Sequence, residues 1–248
     1  MNDFAMDAIQ VLDLGSRVEL AGVKVILLDV NRLSHEMMFG LGRLLSPKEL
    51  RKASRFRFKK DRNAYLAGRG MVRTLAAEVL GVAANSLEIS EGRYGKPYLK
   101  DYAEILRFNL SNCGNLIAIA FDFGGREVGI DLEKINSDFD YFDVAGHYFS
   151  EKECAQIHSH QDFYRFWTMK EALLKVTGVG LVDELPRLDL SEKLNFVEVE
   201  DERLLTFRSS SFCLHSFENE GFVFTVAMMD VCSPEDSEAE NKKLVVFY

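Results

Sequence analysis

The chain has 248 residues, 47% of them hydrophobic and 28% charged, which is typical of a globular protein and excludes a disordered or fibrous chain. Its net charge of -9 disfavours nonspecific binding of nucleic acid. No apolar run approaches a membrane-spanning length, and Met1–Leu20 contains acidic residues without a long apolar stretch. We therefore expect no nucleic-acid partner, no membrane contact, no signal peptide and a cytoplasmic location.

The first half of the chain predicts a strand followed by two helices. The mostly apolar run Val23–Val30 is typical of a buried strand. Ser46 and Glu49 form the pattern of a capping box, in which each residue satisfies a backbone N–H at the start of a helix. The segment Tyr65–Leu80 predicts a second helix that ends at a glycine.

Basic residues concentrate around these two helices. The segment Lys48–Arg73 holds ten basic and two acidic residues, a net charge of +8, whereas the rest of the chain has a net charge of -17. A basic patch on an acidic protein indicates a phosphate-bearing ligand or an acidic partner protein. A solvated helix face would give the same pattern.

The second half repeats the order of the first. Val128–Glu133 occupies the place of the first strand, Ser150 and Glu153 form a second capping box, and Phe163–Val176 predicts a helix ending at Gly178. Each half also has a late apolar strand, namely Leu116–Phe121 and Phe222–Ala227. We therefore predict an α+β fold of two similar lobes, residues 1–124 and 125–248, with the pseudo-twofold symmetry of a fused dimer.

Acidic side chains mark the second half. Alternation along a strand places Asp131 and Glu133 on one face, and two repelling carboxylates are tolerated where a hard cation such as Mg²⁺ lies between them. Glu171 lies on a predicted helix that is otherwise mostly apolar, on one stripe with Lys175. It could supply a third carboxylate. A solvated acidic strand face and an ordinary surface ion pair on the helix remain open as alternatives.

Two further segments carry groups that could meet a ligand. Lys96 lies between Gly95 and Pro97 in a predicted rigid turn, where a lysine is well placed to meet a phosphate. Ser111 and Asn112 precede a glycine, and in this predicted turn they could donate hydrogen bonds to a ligand or satisfy the turn itself.

These motifs, taken in order, resemble the 4'-phosphopantetheinyl transferases of the Sfp type. The motifs are Gly-Lys-Pro at 95–97, Phe-Asn-Leu-Ser at 108–111, Gly-Ile-Asp-Leu-Glu at 129–133 and Trp-x-x-Lys-Glu-Ala-x-x-Lys at 167–175. The resemblance implies a two-lobed monomer that moves the phosphopantetheine arm of coenzyme A to a serine of an acidic apo-carrier protein. The other product would be 3',5'-ADP.

The resemblance also implies roles for individual residues. Glu171 would be the base for the carrier serine and Lys175 would stabilise the leaving pyrophosphate. The Mg²⁺ ligands would be Asp131, Glu133 and Glu171. The groups that bind coenzyme A would be Lys52, Arg55, Lys96, Pro97, Ser111, Asn112 and Lys175, with Ser111 and Asn112 at the 3'-phosphate. Trp167 and Lys170 would shape the site by packing.

Two positions depart from the family pattern. The family usually has histidine where this chain has Asn112, and Ala64 stands where an arginine is often found. Both changes remove positive charge near the nucleotide. Two other functions stay open, a nonenzymatic binder of coenzyme A or of a carrier, and a Mg²⁺-dependent nucleotide phosphohydrolase. A binder would not need all three carboxylates, and a phosphohydrolase would turn over coenzyme A without a carrier.

Overall fold

The computed structural model describes residues 9–13, 22–178, 185–191, 196–199 and 210–229. Two four-stranded antiparallel sheets dominate the described part of the chain, one in the order β1-β2-β6-β5 and the other in the order β7-β10-β9-β8. A small hairpin, β3-β4, stands apart from both. The strands are β1 (Ile9–Asp13), β2 (Val23–Asp29), β3 (Ile89–Glu91), β4 (Pro97–Leu99), β5 (Arg107–Cys113), β6 (Leu116–Asp122), β7 (Val128–Lys134), β8 (Phe196–Val199), β9 (Ser210–Asn219) and β10 (Phe222–Met229).

Six α-helices are described alongside the sheets, and two long ones cover them. These helices are α1 (His35–Arg43), α2 (Pro47–Ala53), α3 (Lys59–Leu80), α4 (Phe142–Tyr148), α5 (Glu151–Cys154) and α6 (His160–Thr177). Helix α3 packs on the first sheet and α6 on the second, and a third apolar layer lies between the sheets. The α+β class is therefore confirmed. Among the described helices, none is both long enough and apolar enough to cross a membrane.

The predicted helix caps and the predicted glycine helix ends are present in the structure. Both capping boxes form, with Ser46 and Ser150 each accepting a backbone N–H while Glu49 and Glu153 reach back to the cap. Helix α3 ends at Gly81 and α6 ends at Gly178, with φ angles of 68° and 72°. Glycine adopts this left-handed conformation without steric cost. Helix α3 begins earlier than predicted, at Lys59.

Strand β5 corrects one prediction. Ser111 and Asn112 lie in this strand and not in a turn, because Arg107–Cys113 pairs in register with Leu116–Asp122 of β6. The turn comes afterwards, at Gly114, whose φ is 61°. Most of Met1–Leu20, on which the signal-peptide prediction rests, lies outside the described residues. The division at residues 124 and 125 stays a prediction.

Helix α6 lies unusually close to strand β7, at Gly129. A Cβ atom on this glycine would lie 2.1 Å from the Ala172 carbonyl oxygen and 2.7 Å from the Val176 nitrogen. Both contacts are far shorter than van der Waals separation, and both are with backbone atoms, which cannot move independently. Only glycine therefore permits this helix to strand spacing, and the spacing determines how far Glu171 and Lys175 lie from Asp131.

We predict that Gly129→Ala destabilises the protein by at least about 2 kcal/mol, since overpacked cores must shift backbone to relieve a clash. Gly146→Ala is the matched control, because Gly146 lies inside helix α4 and a Cβ there would meet nothing within 4 Å. Its stability should stay equal or rise by up to about 1 kcal/mol. Urea unfolding followed by circular dichroism measures both. Equal effects of the two substitutions would contradict the close approach.

Candidate functional site

Strands β5 and β7 and helix α6 bring three polar side chains together. Lys175 Nζ lies 2.6 Å from Asp131 Oδ1 and 2.9 Å from Ser111 Oγ, and the Ser111 hydroxyl lies 2.9 Å from the same Asp131 oxygen. The two strands are in contact, and Ile130 N donates to Asn109 Oδ1 at 3.0 Å. The site therefore lies where the first sheet meets the second.

Asp131 is the buried centre of this cluster. It is 4% exposed, whereas the Lys175 side chain is 27% exposed and so lies partly at the surface. The second Asp131 oxygen, Oδ2, is also buried and lacks a hydrogen-bond partner within the described residues. Leaving a buried carboxylate oxygen unpaired is costly, so this atom is available to an additional ligand.

Glu133 and Glu171 add negative charge around Asp131. Burial is the main reason why the pKa of Glu133 rises to about 7, and the nearby Asp131 and Glu171 carboxylates contribute. Burial and Asp131 also raise the pKa of Glu171, against the opposing charge of Lys175. The structure thus brings the three carboxylates close enough to repel one another.

No group of three or more His, Cys, Asp or Glu side chains in the described ranges is gathered closely enough to hold a metal ion. Lys175 occupies one oxygen of Asp131 instead. The donor chemistry nevertheless fits a hard divalent cation, because carboxylate oxygens are its preferred ligands and Asp131 Oδ2 is unpaired. Asp131, Glu133 and Glu171 are the residues that could hold such an ion.

The predicted phosphate ligand Lys96 is engaged elsewhere. Its Nζ donates to Glu127 Oε2 at 2.6 Å and to the Val176 carbonyl at 2.8 Å. Gly95 has the positive φ expected of the turn, and Pro97 begins strand β4. Burial lowers the pKa of Lys96, while the Glu127 carboxylate opposes that shift. The Gly95–Pro97 turn therefore packs against the C-terminal end of α6.

Lys52 and Arg55 line a basic pocket of about 280 Å³ in the first half of the chain. Lys48, Arg51 and Arg69 also line it, together with Glu49, Tyr65, Ile89 and Glu91. Lys52 donates to Glu91 at 2.8 Å. Arg69 is only 8% exposed, and its Nη1 lacks a hydrogen-bond partner among the described residues. A buried, incompletely paired guanidinium in a basic pocket favours an anionic ligand.

Ser111 and Asn112 do not act from the same side of their strand. Successive side chains of a strand point to opposite faces. Ser111 faces β7 and bonds Asp131, whereas Asn112 is exposed on the face shared with Leu110, which packs under Gly68 of α3. Of the residues expected at the 3'-phosphate, the structure therefore brings Ser111 to the carboxylates and leaves Asn112 on the α3 side.

The sequence predicted a packing role for Lys170 but did not indicate its ion pair with Glu153. Lys170 is 1% exposed and pairs with Glu153, the capping-box residue, at 2.7 Å. The repeat carried a usable signal, because Arg73 and Lys170 each stand eight residues before the glycine that ends their helix. Trp167 packs as expected, with its ring stacked on Phe163 at 6.1 Å.

Two sequence models of one family match the chain in succession. The model described as 4'-phosphopantetheinyl transferase, N-terminal, matches residues 33–123. The model described as 4'-phosphopantetheinyl transferase superfamily matches residues 127–227. Together they cover the long helices α3 and α6. They also cover strands β5 and β7, which with α6 form the cluster around Asp131.

Individual proteins give the same result. The chain is 38% identical over 149 residues to the 4'-phosphopantetheinyl transferase HetI of Nostoc sp., covering 57% of this chain and 62% of HetI. It is 33% identical over 204 residues to the human L-aminoadipate-semialdehyde dehydrogenase-phosphopantetheinyl transferase, covering 71% of this chain and 66% of the human protein. The 4'-phosphopantetheinyl transferase of Bacillus subtilis is 33% identical over 143 residues, covering 55% of this chain and 62% of the Bacillus protein.

The chain thus spans less than two thirds of the length of these relatives. The family that the motifs indicated is confirmed by both comparisons. On these grounds, the chain belongs to the 4'-phosphopantetheinyl transferase superfamily.

Proposed function

We propose that this protein transfers the 4'-phosphopantetheine arm of coenzyme A to a serine of an apo-carrier protein and releases 3',5'-ADP. The observation that carries the proposal is the cluster around Asp131, in which Lys175 and Ser111 bond one carboxylate oxygen and the other stays unpaired. Phosphoryl transfer requires such a set, with oxygen ligands for a cation, a positive group for the leaving phosphate and a base for the nucleophile.

Glu171 acts as the base in this proposal. The serine hydroxyl attacks the phosphorus that bears the pantetheine arm, its proton passes to Glu171, and the bond from that phosphorus to the departing 3',5'-ADP breaks. A buried carboxylate beside Asp131 has a raised pKa, which makes it a stronger base than a solvated one. Lys175 is partly exposed and places its positive charge beside the departing phosphate.

Asp131, Glu133 and Glu171 would hold Mg²⁺. Mg²⁺ bound there would supply positive charge that offsets the negative charge developing on the leaving phosphate. Without an ion, Lys175 neutralises part of the negative charge through its 2.6 Å contact with Asp131. Ser111 supports the same arrangement, because its hydroxyl contacts both Lys175 and Asp131.

The basic pocket is proposed to bind the phosphates at the nucleotide end of coenzyme A. Lys52 and Arg55 line it, and the buried, incompletely paired Arg69 adds a charge that the missing arginine at Ala64 would otherwise supply. Lys96 and Pro97 stay in the proposal as residues that shape the adenine end, since the Lys96 ammonium is bound to Glu127. The exposed arginines and lysines of α2 and α3 suit an acidic carrier protein.

A mass-shift assay tests this function. The protein is incubated with coenzyme A, Mg²⁺ and a panel of apo-carriers of the acyl and peptidyl types. We expect one or more carriers to gain the mass of phosphopantetheine. Loss of coenzyme A without a carrier would indicate a phosphohydrolase instead, and binding without turnover would indicate a nonenzymatic binder.

We predict that Glu171→Gln lowers transfer at least about 100-fold, since a carboxamide cannot take a proton and binds a cation poorly. The volume is nearly unchanged, so the circular dichroism spectrum should match that of the original protein. Glu78→Gln is the control, because Glu78 is exposed on α3. Transfer by the Glu171 variant at a rate similar to the control would rule out its role as the base.

We predict that Glu133→Gln stabilises the metal-free protein above neutral pH. Because the folded-state pKa of about 7 lies above the ordinary 4.5, ionised Glu133 destabilises the fold, and this cost grows as pH rises between those values. Gln is neutral throughout. The variant should therefore gain about 1 to 2 kcal/mol near pH ~8 and almost nothing near pH ~5.

Urea unfolding in the presence of a chelator measures this difference, with Glu78→Gln again as the control. Adding Mg²⁺ should stabilise the original protein more than the Glu133 variant, because one of the proposed ligands is lost. A stability difference that does not change with pH would contradict the crowding of the carboxylates.

We predict that Asn112→His lowers KM for coenzyme A several-fold, about 1 kcal/mol, and leaves kcat nearly unchanged. Asn112 is exposed on the α3 face of β5, and a histidine there could bind the 3'-phosphate as a cation. The gain should grow as pH falls through the histidine range. The control substrate is 3'-dephospho-coenzyme A, and an equal gain with this substrate would show that Asn112 does not face the 3'-phosphate.

A further inference from the structure

Lys170 holds helix α6 from the side that faces away from the carboxylate cluster. Its Nζ has three acceptors, the Tyr148 carbonyl at 2.9 Å, the Leu185 carbonyl at 2.9 Å and Glu153 Oε2 at 2.7 Å. An ammonium group has three N–H donors, so this set uses all of them. The group also lies 5.0 Å from the centre of the Phe149 ring. Lys170 therefore ties α6 to the end of α4 and to the segment that starts at Leu185.

Glu153 completes this network from the start of α5. It is fully buried, and its Oε2 accepts from Ser150 N at 2.7 Å as well as from Lys170. Its Oε1 accepts from Leu190 N at 2.8 Å. One carboxylate thus caps α5, orders the segment near Leu190 and neutralises the buried cation of α6. A buried charge without these partners would be strongly destabilising.

The network bears on the site because Lys170 directly precedes Glu171. A helix can change its position by turning about its axis or sliding along it. Gly129 limits both motions on the β7 side, where the α6 backbone is in contact with the strand. Lys170 limits them at the other side, through acceptors on three separate segments. The direction in which Glu171 and Lys175 point toward Asp131 follows from these two constraints together.

The first half of the chain contains an equivalent buried ion pair, but Thr74 stands where the second half has Glu171. Arg73 is 1% exposed and donates to both oxygens of the capping-box residue Glu49, at 3.0 and 2.6 Å. Like Lys170, it stands eight residues before the glycine that ends its helix. The residue that follows it is Thr74, whose hydroxyl donates to the Gly70 carbonyl of its own helix. The chain therefore includes an internal control.

We propose that Lys170 and Glu153 are positioning residues, which set the rotation of α6 that directs Glu171 and Lys175 at Asp131. This inference rests on the proposed function. A buried ion pair by itself is weak evidence for stability, since apolar replacements are often equally stable. Its placement one residue before the proposed base, with three backbone segments joined to it, supports a geometric role.

The experiment compares Lys170→Met with Arg73→Met, which remove equivalent buried cations from the two long helices. Both should lower Tm. The Lys170 variant should in addition lower kcat about 10- to 100-fold at saturating coenzyme A and carrier, because misplacement by about 1 Å can cost that much. Its KM for coenzyme A should stay close to the original. The Arg73 variant should instead change KM, because its partner Glu49 lines the basic pocket, and should keep kcat within about threefold.

A milder variant covers the case in which Lys170→Met fails to fold. Glu153→Asp keeps the charge and draws the carboxylate back by one methylene, so α6 must shift to keep the ion pair. We expect a folded protein with reduced kcat. The stabilisation that Mg²⁺ produces should also be smaller than in the original protein, since the proposed ligands no longer converge.

The outcomes separate the two proposals. Suppose that the original protein transfers phosphopantetheine. If Lys170→Met and Arg73→Met then lower kcat equally, or if neither lowers it, the positioning role is wrong and the proposed function stands. If the original protein transfers nothing to any carrier, the proposed function fails. In that case the Mg²⁺-induced stabilisation decides the positioning role alone, and an unchanged value in Glu153→Asp overturns it.

Discussion

The contact between the backbone of α6 and strand β7 at Gly129 is the constraint on which the site depends. A Cβ atom there would lie 2.1 Å from the Ala172 carbonyl oxygen, so the helix can approach the strand this closely only at a glycine. That spacing lets Lys175 reach Asp131 at 2.6 Å. Because packed cores deform little, a small displacement of α6 would change every distance in the carboxylate cluster. The glycine of the Gly-Ile-Asp-Leu-Glu motif thus has a structural role as specific as the acids that follow it.

The cluster around Asp131 is electrostatically strained by its own composition. Three carboxylates lie near one another with Lys175 as a counter-charge, and burial with mutual repulsion raises the pKa of Glu133 to about 7. A fold selected for stability alone would not keep this arrangement. The protein tolerates it because two sheets and two long helices bury large apolar layers on either side. Stability and the proposed chemistry therefore oppose each other at this point, and a bound cation would relieve the opposition.

The two halves of the chain use one construction for two different purposes. In each, a capping-box glutamate pairs with a buried cation on the long helix, eight residues before a left-handed glycine. In the first half the adjoining surface is basic and forms the pocket near Lys52 and Arg55. In the second half the adjoining surface carries the carboxylates. Strands β5 and β7 meet between them, which places Ser111 of one sheet beside Asp131 of the other.

The sequence by itself determined the local elements, because the signals for them are short in range. The sequence predicted the capping boxes, the glycine helix ends, the apolar strands and the spacing of Asp131 and Glu133. The motifs, taken in order, identified the family. Only the tertiary structure decided the partners of the buried charges. Lys170 with Glu153, Lys96 with Glu127 and Lys175 with Ser111 join residues between 17 and 64 positions apart. The same holds for Ser111 and Asn112, whose separation onto two faces depends on the pairing of β5 with β6. A charge in a sequence shows that a partner is required, but which partner lies within reach depends on how the sheets and helices pack.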